Sequence, residues 1–110
     1  MTKQEIIEWL EGEIEGYPPR ATGNECEEFI TWLASRILES DRGALVEAMR
    51  EWITQRGKQT ILAVRIAAEL KLQELKPDIE RLLEDVRAGK AFWPYYEEFI
   101  VPALRRIEAN

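Results

Sequence analysis

The sequence contains no histidine and only one cysteine, Cys26. The first absence removes the commonest general base, every Ser/His or Cys/His nucleophile pair, and the Glu-x-x-His ligands of di-iron bundles. The two absences together exclude a structural zinc site, and there is no Asp-rich loop of EF-hand spacing. Neither a bound metal nor a cofactor is expected, and no residue is assigned a catalytic role. A lone thiol forms no internal disulfide, and at helical spacing from Phe29 and Ile30 it reads as a small core residue. No stretch alternates apolar and polar residues over the length of a strand, so no sheet is expected. No uncharged apolar run approaches the roughly 18 residues that span a bilayer, and Met1-Thr2-Lys3-Gln4-Glu5 has none of the apolar character of a secretory leader. The expectation is a cytoplasmic protein with no membrane partner.

What is present points to helices. The 110 residues are 45% hydrophobic and 33% charged. A chain of this size buries roughly two-thirds of its unfolded surface, enough for a core in a single domain over residues 1–110. The charged fraction exceeds the globular norm, as in helices with one solvated face. The net charge of -6 is unevenly spread: residues 1–41 hold 10 Asp/Glu against 3 Lys/Arg, whereas residues 42–110 hold 11 against 12. The acidic first third would repel nucleic acid, and the remainder lacks the basic excess of a phosphate-tracking surface, so no nucleic-acid partner is expected. A protein partner with a basic surface is electrostatically easier.

The spacing predicts an N-terminal helix over 2–16, opened by the capping box Thr2-x-x-Glu5 and carrying Ile6, Ile7, Leu10 and Ile14, with Trp9 widening the stripe. Gly16 to Ala21, with Pro18 and Pro19, breaks it. A helical hairpin is expected over 22–56. Its first helix starts near Thr22 or Asn24, carries Cys26, Phe29, Ile30, Leu33, Ile37 and Leu38, and ends around Ser40. Asp41 caps the second helix, which carries Leu45, Ala48, Met49, Trp52 and Ile53 and is stopped by Gly57. A second hairpin covers 58–89. Ile61 to Ala68 is apolar nearly all round, which marks the centre of the core, and a helix from Pro77 turns Ile79, Leu82, Leu83 and Val86 inward before Gly89. The last helix, 94–109, presents Tyr95, Tyr96, Phe99, Ile100, Ala103, Leu104 and Ile107 on a broad face and contains Pro102.

A shift of 34 residues superposes Ile30, Ala34, Leu38, Leu45, Ala48, Met49 and Trp52 on Val64, Ala68, Leu72, Ile79, Leu82, Leu83 and Val86. The unit Val64-Arg65-Ile66-Ala67-Ala68 with Leu72 and Leu75, followed by Pro77-Asp78-Ile79 and Leu82-Leu83, resembles the short bacterial HEAT-like repeat over about residues 61–86. Gln73 stands where that repeat usually has glycine. The resemblance implies antiparallel hairpins stacked as a short α-solenoid, with the two alanines allowing close helix approach and Arg65 in a structural role toward the adjacent hairpin. The alternative is a compact five- or six-helix bundle. HEAT-like proteins include scaffolds, bilin lyases and DNA-repair glycosylases, so the resemblance leaves function open.

The segment with the composition of a recognition surface is Phe92-Trp93-Pro94-Tyr95-Tyr96. Trp93, Tyr95 and Tyr96 are the candidate partner-binding residues, because tyrosine and tryptophan supply contact area with few rotors to freeze. Alternatively, Phe92 and Tyr96 simply cap the core. The leading reading is a non-enzymatic interaction or scaffold module. An acidic inhibitor or immunity-type regulator of a basic enzyme comes second, and a small enzyme using carboxylates from Glu11, Glu13, Glu15, Glu25, Glu27 and Glu28 third. Such glutamate runs on amphipathic helices usually face water. Gly57-Lys58-Gln59-Thr60 lacks the upstream glycine and strand of a phosphate-binding loop.

Overall fold

The computed structural model describes residues 1–18 and 23–109, and among these every regular element is helical, with no strand. The elements are α1 (Lys3–Glu15), α2 (Gly23–Gln55), α3 (Thr60–Glu69), α4 (Lys76–Arg87) and α5 (Glu97–Glu108), with 3-10 turns at Gln73–Leu75 and Pro94–Tyr96. Pro19 and the candidate cap Thr22 lie outside the described residues. The chain contacts divide into two compact units, Met1–Ala48 and Met49–Asn110, and the division falls within α2.

In the first unit, α1 begins with the expected capping box. Thr2 Oγ1 accepts the Glu5 N–H at 3.2 Å and Glu5 Oε1 accepts the Thr2 N–H at 3.0 Å. Ile6, Ile7 and Leu10 are buried, as are Ile30, Leu33, Ala34 and Ile37 of α2. Trp9 turns largely outward instead of joining this stripe, and Cys26 is half-buried rather than central. The buried Thr31 hydroxyl is satisfied by the Glu27 carbonyl at 2.8 Å. The two helices expected on either side of Ser40 are joined in one helical run. Its backbone breaks at Asp41 (φ -134°, ψ 52°), where the cap was expected.

In the second unit, α2 ends at Gln55 because Arg56 takes a left-handed conformation (φ 54°); the stop is Arg56 and not the glycine after it. The Arg56 N–H bonds the Ile53 carbonyl at 3.3 Å. The outer hydrogen bond of such a helix end, which would join Gly57 to Trp52, is replaced by an inserted hydroxyl. Thr60 Oγ1 accepts the Gly57 N–H at 2.9 Å and donates to the Trp52 carbonyl at 2.6 Å, fully buried. α3 follows, with Ala63, Val64, Ile66, Ala67 and Ala68 buried. It ends in a complete motif of this kind with Lys71 left-handed (φ 53°), closed by the Leu72 N–H to the Ala67 carbonyl at 2.9 Å. α4 has proline in its first turn and ends the same way at Gly89 (φ 73°), with the Lys90 N–H on the Asp85 carbonyl at 2.8 Å.

Two ion clasps tie the end of α2 to α4. Arg50 Nε is 3.1 Å from Asp78 Oδ2, and Arg56 Nη2 is 3.0 Å from Asp85 Oδ2. Asp78 is only 7% exposed and also holds Arg81 at 2.9 Å, while Arg50 Nη2 donates to the Glu74 carbonyl at 3.2 Å. At about 1.5 Å rise per helical residue, the spans 50–56 and 78–85 have nearly equal length. The partners occur in the same order, so this stretch of α2 runs alongside α4 in the same direction. α5 packs against both α3 and α4, burying Ile100, Ala103, Leu104 and Ile107. Tyr95 and Phe99, expected on that inner face, are exposed. Of the fourteen positions superposed by the 34-residue shift, Leu38 is half-buried and the others are buried.

Candidate docking surface

The connection from α4 to α5 is built to turn aromatic rings outward. Gly89 supplies a left-handed turn, and Phe92 is itself left-handed (φ 57°), a conformation that costs a bulky residue on the order of 1–2 kcal/mol. Its ring packs edge-on against Tyr96, centroids 5.6 Å apart at 61°. Trp93 is extended (φ -80°, ψ 146°), as a residue before proline must be, and its carbonyl accepts the Tyr96 N–H at 3.0 Å to close the 3-10 turn. This turn runs into α5. Arg87 fastens the junction, its Nε and Nη2 lying 2.8 and 2.6 Å from Glu97 Oε1.

The outcome for the three candidate residues is uneven. Trp93 is 70% exposed and Tyr95 62% exposed, whereas Tyr96 is half-buried. Tyr95 stacks on Tyr96 with centroids 4.7 Å apart at 23°. A hydrogen bond to Tyr96, followed by partial desolvation, pushes the Tyr95 phenol above its ordinary value. Phe92, Tyr96 and Tyr95 thus form a run of rings in contact with Tyr95 at its exposed end, and Trp93 stands exposed beside them in the chain. An ordered ring already held by its neighbour loses little entropy when a partner covers it.

Two shallow grooves lie along α5, and the second is lined by one of these rings, Tyr95. One, of about 280 Å³, lies between α3 and α5 over a floor of Ala68, Phe99, Pro102 and Ala103, with Glu98 and Arg106 from α5 along it. The other lies against Pro94, Tyr95, Val101 and Pro102. Arg65 pairs with Glu69 on its own helix at 3.2 Å, at the rim of the first groove.

Elsewhere the chemistry is sparse. In the first unit, Tyr17, Phe29 and Trp32 form a second aromatic row, with centroids 5.7 and 6.4 Å apart, ending in Trp32 at 57% exposure. Trp32 escaped sequence reasoning because it sits between core positions at 30, 33 and 34. Its only signal is that it falls on the same helical face as Glu25 and Glu28. Glu15, Glu25 and Glu28 are exposed and Glu11, Glu13 and Glu27 half-buried. Burial and the neighbouring Glu27 carboxylate push the Cys26 thiol up, which lowers its nucleophilicity at neutral pH. Among the described residues no three His, Cys, Asp or Glu side chains are grouped to hold a metal ion, and no helix is long and apolar enough to cross a membrane. Gly57 to Thr60 forms the hydroxyl-bridged helix end described above.

Comparisons of the chain with protein-family models, with curated proteins and with solved structures gave no match.

Proposed function

We propose that this protein is a non-catalytic module that docks another protein, of basic surface character, through Trp93, Tyr95 and Tyr96 at the head of α5. The observation that carries this reading is the exposure of Trp93 and of Tyr95, the latter held in a stack on Tyr96. Large aromatic residues left in water on an otherwise well-packed helical unit are the usual anchors of protein interfaces. Tyrosine and tryptophan faces also attract Lys and Arg side chains, which favours a partner of basic surface at these rings. The second unit would serve as a HEAT-like stack of helices. The parallel clasp between the end of α2 and α4 supports stacking, because these helices are equivalent under the 34-residue shift and an up-and-down bundle places alternate helices diagonally.

Affinity capture from cells, comparing the natural chain with Trp93→Ala/Tyr95→Ala, tests this. The double variant should keep its helical circular dichroism and lose the captured partner. Capture unchanged by the double substitution removes the site.

A second reading rests on Trp32, exposed beside Glu25 and Glu28. Here the acidic first unit would cover the basic site of an enzyme. Such a complex should weaken steeply as ionic strength rises, and salt-insensitive binding argues against it.

A further inference from the structure

The outer face of α5 carries Glu98, Pro102 and Arg106 in line, four residues apart, all exposed, with Phe99 (37% exposed) and the exposed Arg105 beside them. We propose that this face pairs with the same face of a second copy of the chain, antiparallel about a two-fold axis beside Pro102.

The arrangement is self-complementary in the way a two-fold interface requires, each residue i meeting j and each j meeting i. In an antiparallel register centred on Pro102, Glu98 of each copy faces Arg106 of the other, about 6 Å of helix from the axis. A parallel register would instead set Glu98 against Glu98 and Arg106 against Arg106, so the charge order selects one orientation. Among the described residues neither Glu98 nor Arg106 is held by an ion pair, unlike Glu97, which Arg87 holds.

Two local features favour this occupant. Pro102 has no N–H, so the Glu98 carbonyl lacks its usual donor four residues on. A guanidinium that meets the Glu98 carboxylate has N–H donors to spare for it. The floor beside the stripe is made small by Ala68 and Ala103, which leaves the groove of about 280 Å³ open to a second helix. The net charge of -6 does not oppose the contact locally, because residues 42–110 hold 11 acidic against 12 basic side chains. A stripe of about three turns buries less than the roughly 800 Å² per partner of a standard interface, so the dimer is weak, with a Kd of roughly 10 μM to 1 mM.

The proposal is independent of docking at Trp93, and its test needs no other protein. Sedimentation of the full chain up to about 1 mM, the upper end of that range, should show a monomer–dimer equilibrium. Glu98→Arg alone and Arg106→Glu alone should each weaken it at least tenfold. Mixing those two variants should restore it, because a stripe basic at both positions then meets a stripe acidic at both, and each contact again joins opposite charges. The double swap in one chain should restore it too. The neutral pair Glu98→Gln and Arg106→Gln supplies the same comparison should a reversal fail to fold, each weakening association and removing its salt dependence. A monomer at every concentration, a dimer indifferent to these substitutions, or reversals that mixing does not rescue would overturn the proposal.

Discussion

The hydroxyl of Thr60 is the most sharply testable stabilising contact, because it stands in for a backbone hydrogen bond at the end of α2. Valine has the shape of threonine, so Thr60→Val leaves no cavity and isolates the hydroxyl. The substitution withdraws a donor from the Trp52 carbonyl, 2.6 Å away, and an acceptor from the Gly57 N–H, 2.9 Å away. Stranding a buried polar group costs about 1–3 kcal/mol. Thr60 is fully buried, which puts the carbonyl's share in the upper part of that range. Gly57 is exposed, so its N–H can turn to water and adds little. The expected loss is about 2–3 kcal/mol. Thr60→Ser keeps both bonds and removes one methyl, for about 1 kcal/mol. Urea unfolding followed at 222 nm and by tryptophan fluorescence reads both variants as shifts in midpoint at constant slope. A Thr60→Val midpoint within about 0.5 kcal/mol of the natural chain, or a serine variant as damaged as the valine one, would refute the bridging role.

Lys71 is left-handed and solvent-exposed, a position where glycine avoids the Cβ clash at some cost in unfolded-chain entropy. Lys71→Gly should raise stability by about 0.5–1 kcal/mol in the same urea assay, and a destabilised variant would show that the side chain's bond to the Ala109 carbonyl outweighs backbone strain. The Glu5 carboxyl is held below its ordinary value because its ionised form accepts the Thr2 N–H, with the Thr2 hydroxyl adding to the effect. A depressed folded-state value means a contribution present above the unfolded pKa of about 4.3 and lost as pH falls through the lower folded value. Glu5→Ala should therefore lower the urea midpoint at pH 7 by an amount that shrinks as pH falls below the unfolded value and through the folded one, and a pH-independent difference would contradict the capping role.

The parts of this fold that were legible in the sequence are those governed by neighbours in the chain. The capping box at Thr2 and Glu5, the left-handed Gly89, and the extended residue before Pro94 all follow from local chemistry and are present. The apolar stripes at 3.6-residue spacing are the core, because that period alone puts one face of a helix against its neighbours. What was not legible depends on partners distant in sequence. Asp78 is buried in the first turn of α4, which composition argues against, because Arg50 arrives from 28 residues away to neutralise it. Thr60 looked like the tail of an incomplete phosphate loop, and its meaning comes from a carbonyl eight residues back. Arg56 in place of Gly57 at the helix end reflects the clasp on Asp85, which fixes the arginine while the glycine passes its N–H to Thr60. Within the candidate surface, period alone placed Tyr95 and Phe99 inward with Ile100. The 3-10 turn at Pro94–Tyr96 rotates the entry to α5, and Tyr95 turns out to water with Trp93.

The account depends most on the outermost rings at the head of α5 being where another protein sits. A photo-crosslinking amino acid placed in living cells at the exposed Lys90, which leaves every ring of the connection in place, with the same group at the exposed Glu84 of α4 as the comparison, reads this directly. Position 90 should yield a discrete adduct with a different, basic protein, and position 84 should not. No adduct at position 90, or the same adducts from both positions, would contradict docking at this surface.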